Sequence, residues 1–180
     1  MDWFVVSSAF ALASMYGLLG VSISLTWSSI GMLNLAQGFI FAFAGYGSYV
    51  VAKDLVDKPG KITFLQAALV GLGGIVAGAV AGLVVGAIAF LPLHDRPNFP
   101  VRSLIATLAI SLAGAQILQL HFGPLQKPLP KVFTPIARAL DKPKIEIGSF
   151  TITWDRLGAI VASLILVTAV LVWMRTSRRG

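Results

Sequence analysis

The sequence predicts an all-α integral membrane protein of about five transmembrane helices, and three observations carry that reading. Apolar residues make up 57% of the 180 and charged residues only 12%, with a mean hydropathy of +0.86. Several segments must therefore be dissolved in lipid rather than folded around a water-facing core. The apolar residues gather in runs near the roughly 20 residues that a helix needs to cross a ~30 Å hydrocarbon layer. Charged residues and most of the prolines fall between those runs, which makes the chain a single membrane domain over residues 1–180.

The first span covers about residues 3–27. Asp2 stands where a secretory signal would carry a basic segment, and the apolar character continues past the usual signal length, so this is a retained membrane helix. The second span, about 30–52, contains "IFAFAGYGSYVVA" from Ile40 to Ala52, which is short for a full crossing unless it begins back near Ile30. "KDLVDKPGK" (Lys53–Lys61) is a polar turn with Pro59-Gly60 at its tip, and the third span follows at 64–93. "HDRPNFPVR" (His94–Arg102) is a loop at a membrane face, and the fourth span, 103–120, holds Ser111 and Gln116 within it. Residues 121–156 form an extramembrane loop in which Pro124, Pro128, Pro130, Pro135 and Pro143 forbid a long helix. Inside that loop "KIEIGSFTITW" alternates apolar and polar residues on either side of Gly148-Ser149, the pattern of a small β-hairpin. The fifth span, 157–174, stops at "RTSRRG".

A net charge of +7 invites a nucleic-acid reading. Nucleic-acid readers, however, cluster their basic residues on a soluble face, whereas here these residues occupy the gaps between apolar runs. The lipid bilayer and its anionic headgroups are the expected partner, and nucleic acid is not. With no Cys, the chain has no disulfide framework, thiolate metal site or Cys nucleophile. Walker A, H-E-x-x-H and G-x-S-x-G patterns are missing, and His94 and His121 lie in or beside loops, so no catalytic residue, metal ligand or cofactor is expected. No Asp, Glu, Lys or Arg falls inside the five apolar runs, which argues against an ion-coupled transporter built on a buried carboxylate. If each span crosses once, Arg96, Arg102, Arg175, Arg178 and Arg179 share one face. Lys53, Lys58, Lys61, Lys127, Lys131, Arg138, Lys142, Lys144 and Arg156 share the other. Six of the latter lie in one long loop, so the positive-inside rule leaves the orientation open.

Two patterns inside the apolar regions stand out. Gly74, Gly78, Gly82 and Gly86 recur every fourth residue and lay a smooth groove along one face of the third span. In lipid, small residues let another backbone approach closely, so this ridge is expected to pack against a helix of the same or a partner subunit. The second pattern is "SSIGMLNLAQGF" (Ser28–Phe39), polar and punctuated by glycine between two spans, and continued by Gly45, Tyr46, Gly47, Ser48 and Tyr49. One reading is a helix broken at membrane depth, where protein or a water-filled cavity must satisfy the freed amides and carbonyls. The other is a connecting turn at the membrane face in which Asn34 and Gln37 cap helix ends.

The stretch "GLLGVSISLTWSSIGMLNLAQGFIFAFAGYGSYVVA" (Gly17–Ala52) resembles the N-terminal signature of the permease subunits of branched-chain amino acid ABC importers, a family that also covers urea and amide permeases. Gly31, Asn34, Ala36, Gln37 and Gly38 match its N-x-A-[HQ]-G core, and Gly45-Tyr46 stands where Gly-Ala-Tyr is usual. Phe39 departs from the small or acidic residue common there. "RSLIATLAISLAGAQILQLHFGP" (Arg102–Pro124) and "IEIGSFTITWDRL" (Ile145–Leu157) are similar to later parts of the same family, so the likeness extends over essentially the whole chain.

The resemblance implies a transport subunit without hydrolytic residues of its own. Its implied partners are a second permease subunit, cytoplasmic ATPase subunits and an extracytoplasmic solute-binding protein. It implies a place in the bacterial inner membrane, with the arginine-only face and the C-terminus cytoplasmic and the 121–156 loop extracytoplasmic. It places Asn34, Gln37 and Tyr46 near the translocation path, with Gly31, Gly38 and Gly45 giving backbone freedom. Family members are usually longer, with a coupling helix shortly after a segment like "RTSRRG", so the chain is expected to be the N-terminal portion of a permease: truncated, a gene fragment or a split subunit. A non-transporting membrane scaffold associating through the glycine ridge, a urea or amide permease and a small uncoupled channel are the other readings.

Overall fold

A computed structural model describes residues 3–55, 62–125, 127, 129, 132–133, 135, 144–147 and 150–176. Among them the chain forms five long helices: α1 (Trp3–Ile30), α2 (Gln37–Leu55), α3 (Phe64–Val85), α4 (Phe99–Phe122) and α5 (Trp154–Thr176). A π-helical turn, Gly86–Phe90, and a 3-10 turn, Leu91–Leu93, extend α3. A single strand pair, β1 (Lys144–Ile147) and β2 (Phe150–Thr153), leads directly into α5. Among the described residues four segments are long and apolar enough to cross a membrane: Val5–Ser29, Phe64–Leu93, Phe99–Phe122 and Trp154–Thr176. Their large apolar side chains, among them Phe64, Ile75, Leu83, Ile117 and Leu164, face outward, as lipid-dissolved helices require.

The helix ends differ from the expected ones for local reasons. α1 does not stop near Trp27 but runs to Ile30, because serine is tolerated in a helix when its hydroxyl bonds back: Ser29 Oγ donates to the Leu25 carbonyl at 2.6 Å. It ends at Gly31, whose φ of +72° places it in the left-handed region while its N–H donates to the Trp27 carbonyl at 2.8 Å. Only glycine takes that conformation at no steric cost. Replacing Gly31 with Val is expected to cost about 1–2 kcal/mol, with Gly31→Asn milder. Thermal unfolding of the purified chain in detergent checks this, and an unchanged midpoint for the Val variant would contradict it.

α2 begins at Gln37 rather than near Ile30 and continues to Leu55. α4 begins at Phe99, four residues before the expected 103, because Pro100 falls in the first turn, where its missing N–H is not needed. α5 begins at Trp154 rather than 157, with Asp155 in the first turn, where a carboxylate favours the helix dipole. The hairpin pairs Ile145 with Ile152 and Ile147 with Phe150, the expected alternation. Its Gly148-Ser149 turn, the Pro59-Gly60 tip and the final "SRRG" lie outside the described residues.

The chain divides into two compact units. One comprises residues 1–22 and 133–180. In it Arg156 Nη1 donates to Ser7 Oγ at 2.7 Å, joining the beginnings of α5 and α1. The Phe133 N–H donates to Asp155 Oδ1 at 3.3 Å. The Phe133 ring occupies the space that a side chain at Gly158 would need. Arg156, expected in the extramembrane loop, thus sits in the first turn of α5.

The other unit, residues 23–132, contains α2, α3 and α4. α2 and α3 are antiparallel neighbours, tied at their connected ends by Gln66, which accepts from the Thr63 N–H at 2.9 Å and donates to the Leu55 carbonyl at 2.8 Å. Their seam is built on small residues. A Cβ at Gly74 would collide with Ser48 Oγ and lie 3.2 Å from the Ala44 carbonyl oxygen. One at Gly47 would collide with Ala77 and lie 3.0 Å from the Gly73 carbonyl oxygen, and one at Gly73 would lie 2.6 Å from Val51 Cγ2. Gly78 faces Ala44 Cβ at 3.2 Å. The ridge therefore packs against α2 through Gly74 and Gly78, whereas Gly82 and Gly86 have no heavy atom within 4 Å of a Cβ position. α4 runs parallel to α2, with the Phe39 ring filling the place of a side chain at Gly114.

Candidate functional site

The candidate site is the interruption between α1 and α2. Residues 31–36 are not helical, and the Gly31, Leu35 and Ala36 amides each have a specific partner. The Asn34 side chain turns back on its own backbone: Oδ1 accepts from the Ala36 N–H at 3.0 Å, an Asx turn that starts α2. The Gln37 N–H donates to the Asn34 carbonyl at 3.4 Å and the Ile40 N–H to the Ala36 carbonyl at 2.9 Å, closing the first turn. The Leu35 N–H leaves the segment altogether and donates to Thr107 Oγ1 on α4 at 3.2 Å.

Burial follows the same division. Met32 is 1% exposed, and Asn34 and Ala36 are also buried, while Leu35 is 40% exposed. Ala36 packs with Val85 and Ala89, flanked by Phe39, Ile40, Phe90, Ala106 and Ile110. The break in one helix thus rests on the π-helical turn of another. That turn has a local cause. Pro92 has no N–H to continue the α-ladder and its ring crowds the preceding turn, so the helix widens before ending, with the Leu91 N–H reaching back five residues to the Gly86 carbonyl.

The position of Thr107 also places the break along α4. At about 1.5 Å per residue, Thr107 stands ~12 Å from the start of α4 and ~8 Å beyond Arg102, the last charge before the apolar run. The segment therefore combines features of both sequence readings: it is capped like a turn, and its backbone meets α4 well inside the helix. Protein groups take the Gly31, Leu35 and Ala36 amides, the kind of partner that irregular backbone needs in a bilayer.

The predicted site residues separate into two places. Asn34 and Gln37 adjoin at the break, next to Gly31 and Gly38. Tyr46 lies nine residues along α2, its ring stacked on Phe122 at 4.3 Å between centroids and 22° between planes. Tyr49 meets the same ring edge-on at 6.3 Å. Gly38 and Gly45 are ordinary helical positions with nothing within 4 Å of a Cβ. Ser111 and Gln116 are the polar residues noted in the fourth span, but the buried polar side chains of α4 are Ser103 and Thr107, both 0% exposed. Ser103 Oγ donates to the carbonyls of Phe99 and Pro100, and Thr107 Oγ1 donates to that of Leu104 at 3.1 Å. Ser103, Thr107 and Ser111 recur every fourth residue and share one helix face, so spacing alone does not mark which of these hydroxyls is buried.

Long apolar helices, with a non-helical break between the first two, define a multi-pass membrane protein. The chain belongs to the family of branched-chain amino acid transport system permease components, which it matches over residues 5–180. Among its relatives is the high-affinity branched-chain amino acid transport system permease protein LivH of Salmonella typhimurium, 23% identical over 122 residues, which are 68% of this chain and 39% of that protein. LivH of Escherichia coli K12 is 24% identical over the same shares of both chains. The chain thus spans about two-fifths of the length of the curated relatives it matches, 39%. No solved structure matches it.

Proposed function

We propose that this chain serves as a permease subunit of an ABC importer that moves branched-chain or other small amino acids across the bacterial inner membrane. The family match over residues 5–180 is the observation that carries this reading. The chain would pair with a second permease subunit, with cytoplasmic ATPases that supply the hydrolysis and with an extracytoplasmic solute-binding protein. Arg96, beside α4, and Arg175, at the end of α5, would face the cytoplasm together with the C-terminus. The break at 31–36, with Asn34 and Gln37, would border the path at one depth and Tyr46 at another, ~13 Å further along α2. Solute would pass when ATP binding switches the permease pair between inward-open and outward-open states.

Reconstitution in proteoliposomes with a candidate ATPase and a candidate solute-binding protein tests this. The expected result is leucine uptake that requires ATP, the ATPase and the binding protein together. Flux without ATP would make the chain an uncoupled channel. A stable complex that transports nothing would make it a scaffold.

A further inference from the structure

We propose that Thr107 is a positioning residue for transport: its hydroxyl holds residues 31–36 out of the helix by taking the Leu35 amide. In an uninterrupted α1–α2 helix the Leu35 N–H would donate to the Gly31 carbonyl. Here it points at α4 while the Leu35 side chain faces outward. The hydroxyl is committed to the acceptor role. Its one hydrogen goes to the Leu104 carbonyl at 3.1 Å, which leaves a lone pair for the Leu35 N–H at 3.2 Å. Thr107 is 0% exposed, and the nearby side chains of Ala36, Ala106 and Ile110 offer no acceptor to replace it. α4 and the break are thereby latched: sliding α4 against α2 must either carry the break with it or release this amide. Asn34 caps the break from within its own segment, whereas Thr107 ties it to another helix.

The proposal rests on the permease reading for its transport consequence, so the test has two arms. The first is amide deuterium uptake of the full chain in lipid nanodiscs, comparing wild type with Thr107→Val, which keeps the shape without the acceptor, and Thr107→Ser, which keeps the hydroxyl. Exchange at residues 31–36 should rise about tenfold or more in the Val variant and stay near wild type in Ser, with the α3 segment 64–80 unchanged in both. Wild-type exchange at 31–36 in Thr107→Val, or equal acceleration at 64–80, overturns the proposal. If the Val variant does not fold, Thr107→Ala replaces it under the same criteria.

The second arm is uptake by the assembled importer, where Val should lower the maximal rate about tenfold and Ser should restore it. Faster exchange with unchanged uptake overturns Thr107 as a positioning residue for transport. Absence of ATP-dependent uptake in the wild-type assembly instead defeats the permease reading, a failure that the exchange arm keeps separate.

Discussion

Replacing Gly74 with Leu should all but abolish recovery of the folded chain, whereas Gly82→Leu, two helical turns further along the same ridge, should be nearly silent. The contrast follows from what each position meets. At Gly74 even a Cβ collides with Ser48 Oγ and approaches the Ala44 carbonyl oxygen to 3.2 Å, so a larger side chain must push one helix backbone off another. Backbone cannot rotate aside as a long side chain can, and overpacking of this kind costs about 3 kcal/mol or more. Because lipid supplies no hydrophobic drive to hold two helices together, close backbone contact is most of what the α2–α3 seam has. At Gly82 there is open space, and exchanging a helical glycine for leucine favours the helix by several tenths of a kcal/mol. Gly78, 3.2 Å from a single Ala44 methyl, should fall between. Thermal midpoints by tryptophan fluorescence in detergent should order the variants Gly82, Gly78, Gly74, with the last lowered by on the order of 10 °C or not purifiable. Equal midpoints for Gly74→Leu and Gly82→Leu would refute the seam.

The same ridge shows how far the sequence could be read. Its spacing announced a packing face, because small residues at i,i+4 let another backbone approach closely, and Gly74 and Gly78 meet α2 although Gly82 and Gly86 do not. Its partner was not legible: nothing in the one-dimensional pattern says that Gly47 and Ser48, seen only as part of a polar stretch, lie opposite Gly73 and Gly74. The spans were legible because lipid demands long apolar runs, and the hairpin because strand alternation needs no tertiary information. Helix rotation was not. In a soluble protein a polar stripe marks the outer face of a helix, but here both lipid and neighbouring helices accept apolar residues, so nothing distinguished Thr107 from Ser111 as the inward hydroxyl. The π-helical turn was hidden for a related reason: Val85 and Ala89 continue the apolar run without a change of period, and Pro92 was the single sign of it. The break itself was legible as a composition, with Gly31 and Asn34 at its two working positions. Its attachment to α4 was not.

Asn34→Leu should insert normally and yet lower solute uptake by about tenfold or more, because the residue's contribution is to backbone geometry rather than to apolar burial. Asn34 Oδ1 is the acceptor for the Ala36 N–H at 3.0 Å, and Ala36 is fully buried among Val85 and Ala89. Leucine has the same branching, though it is bulkier, and offers no acceptor, which leaves a buried amide without its bond at a cost of about 1–3 kcal/mol. The segment can recover that bond by winding into α-helix, where the Ala36 N–H would reach the Met32 carbonyl. That conversion would erase the irregular backbone proposed to border the path. Membrane insertion should not suffer, since a more apolar residue in this region favours the bilayer. Asn34→Asp, which retains the side-chain acceptor, should keep the Asx turn and so separate the cap from the loss of polarity. Membrane levels by immunoblot and initial rates of leucine uptake, measured on the same vesicles, decide the matter. Wild-type uptake by Asn34→Leu at equal membrane levels would remove the break from the transport path and leave it a structural connection between two helices.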